Sequence, residues 1–246
     1  MYANPYDRKF GIEFEFSLPI LPEFSRWSHA RTREFNLLLV GNELEGFNIG
    51  HDGSEWEVKT PILSGPAGLK TVKKFLNLIL ENGGSVTTAD GLHVHHDAPE
   101  FIGNTPLTAK LVKNWLINQN EIMQMVDPRR KNAGACPIWT WEILQQYETL
   151  TYDGGRRNLN VRALNEHGTI EIRLHEGTLD YEEVFSWVRF GQAFIGNVLN
   201  EVGDELLLPY TPKELMKRVN VSRNASRFIT RKMKKYAARN NDSVFA

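Results

Sequence analysis

A chain of 246 residues that is 41% hydrophobic and 24% charged, with a formal net charge of −1, has the composition of a globular protein of one or two domains with room for a large core. It has no apolar run long enough to span a bilayer, MYANPYDRKF lacks the apolar segment of a secretory signal, and a lone Cys136 excludes an internal disulfide and a multi-cysteine zinc site, so a cytoplasmic location is expected. The charge is uneven: from Thr211 to Ala246 ten Lys/Arg stand against Glu214 and Asp242, so an acidic body ends in a basic tail.

Residues 8–18, RKFGIEFEFSL, alternate so that Ile12, Phe14 and Phe16 share one face of a strand while Glu13 and Glu15 share the other. Two carboxylates side by side repel unless a cation lies between them, which suggests a metal; a solvated strand face is the plainer reading. Residues 19–28, with prolines at 19 and 22, read as a loop, and 31–41 as a short helix. Asp52-Gly53 signals a hairpin turn, and the next strand carries Glu55, Glu57 and Lys59 on one face and Trp56 and Val58 on the other, ending at Pro61. A helix is predicted from Ser64 to Asn82, stopped by Gly83-Gly84.

In SVTTADGLHVHHDAP, His93 and His95 share a strand face and His96 points the other way. Two histidines at that spacing suit one ion, or an ion and a phosphate. Thr105 to Asp127 reads as a helix, followed by Arg129, Arg130 and Lys131, which either guide an anionic substrate or complement the helix dipole. Trp139 and Trp141 read as packing residues beside Cys136. In GTIEIRLHEGTLD, strand spacing puts Glu171, Arg173 and His175 on one face and Ile170, Ile172 and Leu174 on the other. Asp180 with Glu183 reads as a capping box opening an amphipathic helix to Val202. Thr211-Pro212 opens a short helix, and 222–239 reads as a basic helix.

Taken together, GIEFEF, DGSEWEVKTPILSG, GLHVHHD and an Arg/Asn segment followed by GTIEIRLHEGTLD resemble the amidoligase family over roughly residues 8–195. That family is similar to glutamine synthetases and glutamate-cysteine ligases. The resemblance implies an α+β fold, a curved antiparallel sheet with helices on one face and an ATP site on the other. It also implies a catalytic domain over 1–210, leaving 211–246 as a basic helical extension. The implied reaction is ATP-dependent joining of a carboxylate to an amine through an acyl phosphate, with Mg²⁺ or Mn²⁺ as the metal.

By the same resemblance the metal ligands are Glu13, Glu15, Glu57, His93 and Glu171, with Glu55 a further acid. His95 contacts phosphate, as does Arg173, whose fork suits a transferring phosphoryl group. Arg157 or Arg162 is the second phosphate clamp, Arg156 lies in the same segment, and Asn160 orients substrate. Two other readings stay open. One is a zinc hydrolase built on His93, His95 and Asp97; the other is a non-enzymatic polyanion-binding protein that uses the basic tail. The expected partners are a carboxylate and an amine of unassigned identity, with a nucleic acid or other polyanion at the tail and no membrane.

Overall fold

The computed structural model describes residues 2, 4–19, 29–52, 55–87, 89–132, 136–200 and 210–242. Pro22, the Gly53 turn and the expected Gly203-Asp204 helix stop lie outside them, as does the side chain of Glu55. Among the described residues six strands form one fully antiparallel sheet: β1 (Phe10–Glu15), β2 (Asn48–Asp52), β3 (Glu55–Lys59), β4 (Gly91–Asp97), β5 (Leu159–Asn160) and β6 (Thr169–Glu176). Their order across the sheet is β2-β3-β1-β4-β6-β5. The fold is thus mixed α and β, with one antiparallel sheet and helices.

Alternation on β1 sorts the two faces. Phe10, Ile12 and Phe14 are buried, and Phe14 and Phe16 pack on Phe75, which also stacks with Phe47 at 4.7 Å. Phe75 belongs to α2 (Gly65–Glu81), whose buried stripe of Leu69, Val72, Leu76 and Ile79 falls where the helical period places it. Val58, Val94, Ile170 and Ile172 are buried on neighbouring strands. α6 (Tyr181–Asn200) crosses the same side, and a side chain at its Gly191 would collide with His96 and Ile172. His96 therefore points away from His93 and His95, as the strand period requires. Burial pushes its pKa down to about 3, with the charges of Arg8 and His95 adding to the effect, so it stays neutral.

The remaining helices are α1 (His29–Gly41), α3 (Thr105–Ile122), α4 (Trp141–Glu148), α5 (Ala163–His167), α7 (Pro212–Arg218) and α8 (Arg223–Asp242). α4 and α5 are too short for periodicity to reveal. Trp139 is buried, but Trp141 opens α4 and is 53% exposed, so only the first of the pair packs. The core runs on into α7 and α8 through Leu215, Met216, Ala225 and Ile229. No helix among the described residues is long and apolar enough to cross a membrane.

Two expectations fail locally, at the same place. Between β4 and β6 the register slips, so that Leu92 faces His175 while Val94 faces Ile172, leaving one extra residue on β6. This bulge turns the strand over after Arg173. His175 leaves the face of Glu171 and packs against Trp187 of α6, with ring centroids 5.0 Å apart. The capping box at Asp180 is also only half made. Asp180 Oδ1 accepts from the Glu182 and Glu183 amides, but the Glu183 carboxylate accepts from Thr178 and pairs with Lys232 of α8.

Candidate active site

Sheet register assembles the charged face. Lys59 lies opposite Glu13 and Glu13 opposite His93, while Glu57 lies opposite Glu15. One row along, Gly11 faces His95, His95 faces Glu171, and Glu171 faces Asn160 of β5. Residues distant in the chain thus converge because five adjacent strands, β3, β1, β4, β6 and β5, present side chains on the same face.

The contacts are close. Glu13 Oε2 lies 3.3 Å from His93 Nδ1, and Glu13 Oε1 lies 3.4 Å from His95 Nε2. Glu171 Oε1 accepts from Arg173 Nη1 at 2.6 Å, and Glu171 Oε2 from Asn160 Nδ2 at 2.6 Å. Lys59 Nζ bridges Glu13 and Glu57 at 2.6 and 2.8 Å. Glu15 stands at the far end, accepting from the Gly91 amide at 2.5 Å with His93 Nε2 3.7 Å away.

The carboxyls are driven apart electrostatically. Burial and the Glu13 charge beside it push the Glu57 carboxyl up to about 7, against the pull of Lys59. Burial also acts to raise Glu13, but the hydrogen bond with His93, the nearby His95 imidazole and the Lys59 ammonium outweigh it, and Glu13 is held well below the carboxylate range.

A polar cavity of about 290 Å³ opens over this face, lined by Glu13, Glu57, His95, Asn160, Glu171 and Arg173 among others. Lys59, Arg156 and His167 also line it. Lys59 was legible as a strand-face residue but not as a bridge between acids. His167 carried no pattern at all: it ends α5, and Gly168, at φ 69°, turns the chain back into β6.

Arg157 and Arg162 stand elsewhere. Arg157 donates to the carbonyls of Gly154 and Ile138 and lies over the rings of Trp139 and Tyr152. Arg162 pairs with Glu166 at 2.8 Å. Of the basic loop after α3, Arg129 pairs with Asp127, whereas Arg130 is buried beneath β6. Its guanidinium donates to the carbonyls of Arg173 and Leu174, at the bulge, and Cys136 Sγ donates to the Arg173 carbonyl at 3.0 Å. Nothing in the local sequence marks this role, because it depends on which backbone carbonyls the bulge releases.

On this face of the sheet, among the described residues, two three-residue sets could hold a cation, Glu13-Glu57-His93 and Glu13-His95-Glu171, each with ligand atoms within 4.8 Å of one another; a third set, His175-Glu176-Glu183, lies away from the cavity and is paired with Lys232. The first two share Glu13. His95 Nε2 is buried with no hydrogen-bond partner and faces the oxygens of Glu13 and Glu171. Sets in which carboxylates outnumber imidazoles suit hard divalent ions such as Mg²⁺ or Mn²⁺. Asp97 joins neither set and accepts from the Tyr2 hydroxyl.

A sequence model of the family described as "Putative amidoligase enzyme" matches residues 28–157, more than half of the chain. No match is found among curated proteins. Among solved structures, the complex between prokaryotic ubiquitin-like protein Pup and its ligase PafA is similar at 12% identity, with a TM-score of 0.41. The alignment covers 94% of this chain and 62% of that one, so the chain spans less than two thirds of its length.

Proposed function

The chain belongs to the amidoligase family, and we propose that it is an ATP-dependent carboxylate-amine ligase of glutamine synthetase and glutamate-cysteine ligase type. The observation that carries this reading is the pair of ligand sets sharing Glu13 beside Arg173, on the open face of the sheet. Glu13, Glu57 and His93 would hold one ion, and Glu13, His95 and Glu171 a second. Bound Mg²⁺ or Mn²⁺ would neutralise and align phosphate oxygens. Glu15 would support His93 from the rim, and His95 would otherwise be free to contact phosphate.

In this reading the γ-phosphoryl of ATP passes to a substrate carboxylate, giving ADP and an acyl phosphate. The amine then attacks the acyl carbon, phosphate leaves, and the amine gives up a proton. Arg173, aimed into the cavity by the bulge and held by Glu171, would steady the charge on the transferring phosphoryl group. Asn160 would fix the Glu171 carboxylate rather than touch substrate. Arg156 lines the cavity and takes the second phosphate contact in place of Arg157 or Arg162. Residues 1–210 would carry the chemistry in the cytoplasm, and 211–246 would supply a surface for an anionic partner. The substrates are a carboxylate and an amine.

The test is calorimetric titration of a non-hydrolysable ATP analogue into metal-stripped protein, with and without Mg²⁺ or Mn²⁺, beside Glu171→Gln. Binding that requires the ion and is lost in the variant is expected. No nucleotide binding under any condition would overturn the proposal.

A further inference from the structure

The basic C-terminal segment folds so that its cations divide into two sets. On α8, Ala225 and Ile229 are buried and Met233 packs against the core. Lys232 and Tyr236 turn inward: Lys232 Nζ pairs with Glu176 at 2.6 Å and with Glu183, and the Tyr236 hydroxyl donates to Glu176. The outward side carries Arg223, Arg227, Arg231, Lys234 and Lys235, all exposed. Spaced three or four residues apart, they form one stripe. At 1.5 Å per residue, cations four apart stand ~6 Å from each other and the stripe runs ~18 Å.

Beside the stripe, α7 and α8 enclose a groove of about 770 Å³, lined by Lys213 and Lys217, Arg223 and Arg227, and the hydroxyl-bearing Ser222 and Ser226. Its one carboxylate, Glu214, is committed to the capping box with Thr211. None of the four cations has a carboxylate partner among the described residues. The groove therefore sets a rim of donors and positive charge over a partly apolar floor that includes Tyr6, Met216 and Val221, on a helix whose other face is anchored.

The occupant must be a polyanion, since the stripe continues well beyond the reach of one phosphate group. A bilayer surface is a poor fit, because Ala225, Ile229 and Met233 of α8 face the body, and the one half-buried ring beside the stripe, Phe228, is too little apolar surface to seat the helix in lipid. The Arg231 guanidinium lies over the Phe228 ring, 5.8 Å from its centroid, which sets a half-buried aromatic beside the row. A charged groove with an aromatic alongside is the arrangement that tracks a single strand. We propose that the α7–α8 groove and the stripe continuing from it bind the phosphate backbone of single-stranded nucleic acid.

The test is fluorescence anisotropy of a labelled 16-nucleotide single-stranded DNA titrated with the full chain from 50 to 200 mM KCl. Each phosphate neutralised contributes about −0.7 to the slope of log affinity against log salt, so four contacts give a slope of about −3. Arg223→Glu with Arg227→Glu is expected to weaken binding at least about tenfold, and Lys213→Gln with Lys217→Gln to flatten the slope. The same charge reversal at Lys70 and Lys74 of α2 should leave affinity within about twofold, and Glu171→Gln should leave it unchanged, separating this site from the ligase site. The proposal is overturned if the full chain does not bind at 50 mM salt, if both charge reversals weaken binding equally, or if duplex DNA or polyglutamate competes as well as the single strand.

Discussion

The Lys59 ammonium lies 2.6 Å from Glu13 Oε1, between that carboxylate and Glu57. It occupies the space toward which the Glu13-Glu57-His93 set would draw a divalent ion. In the proposed site Lys59 would thus compete with a divalent ion for Glu13 and Glu57, and metal entry would require it to swing aside. Its side chain is 47% exposed, so there is solvent for it to swing into.

Lys59→Met is therefore expected to lower the melting temperature of metal-free protein, because two crowded carboxylates lose their only bridging cation among the described residues. It should also raise Mn²⁺ affinity about tenfold, through loss of a competitor. Electron paramagnetic resonance of free Mn²⁺ measures the second effect directly. Unchanged or weaker Mn²⁺ binding would show that Lys59 does not compete.

Arg130 holds the bulge that aims Arg173. Its guanidinium is 6% exposed with the rest of the residue, and its donors reach the carbonyls of both bulge residues. Arg130→Met leaves those carbonyls without a charged donor, which costs about 2–3 kcal/mol in urea unfolding. Binding of the Mg²⁺–nucleotide analogue should weaken about tenfold, because Arg173 loses its support, and Arg130→Lys should recover part of both.

Lys232 is the charged pin of α8, 9% exposed and paired with Glu176 and Glu183. Burial works to raise Glu176, but the charges of His175 and Lys232 hold it well below the carboxylate range. Lys232→Met leaves buried carboxylates uncompensated and should destabilise the fold by about 3–5 kcal/mol. Adding Glu183→Gln removes one of the stranded charges, and chemical denaturation should show the double variant more stable than the single one.

His96 predicts the acid limb of stability. Its pKa in the folded chain is about 3, pressed down by burial, against about 6.5 when unfolded. Above 6.5 neither state is protonated and the group contributes nothing to the pH dependence. As pH falls from 6.5 toward 3 the unfolded chain takes up a proton that the folded chain cannot, so stability drops, with a limiting slope of about 1.4 kcal/mol per pH unit. His96→Leu should remove that part of the slope in melting curves taken between pH 7 and 5, and an unchanged slope would assign it to other groups.

Much of the sheet was readable from alternation. Glu13 and Glu15 against Ile12 and Phe14, and His93 and His95 against His96, fall on the faces the two-residue period assigns, because a regular strand leaves no other choice. The helix start at Thr211-Pro212 followed from its proline and is closed by the Thr211-Glu214 capping box, which acts within a few residues, whereas Ser64 stands at the N-cap of α2 without a side-chain cap bond. His175 was misplaced because a bulge inverts the alternation, and a bulge is set by the pairing of β4 with β6 rather than by either strand alone. Arg157 and Arg162 looked equivalent to Arg156 because three arginines in one loop have the same local chemistry. Which of them reaches the cavity depends on how that loop folds over Trp139 and Tyr152.

The order of charged and apolar residues was enough to specify the faces of the regular strand segments, the family resemblance and the acidic and basic residue types a ligase site requires, since these depend on short local patterns. Only folding brought Glu13, Glu57, His93, His95 and Glu171 within ligand distance, set Lys59 between two acids, placed Arg130 behind Arg173 and split the cations of α8 into a buried pin and an exposed stripe. Those relations are long-range. They arise from strand register and helix docking, where packing of the apolar core selects one arrangement and the charged groups settle within it.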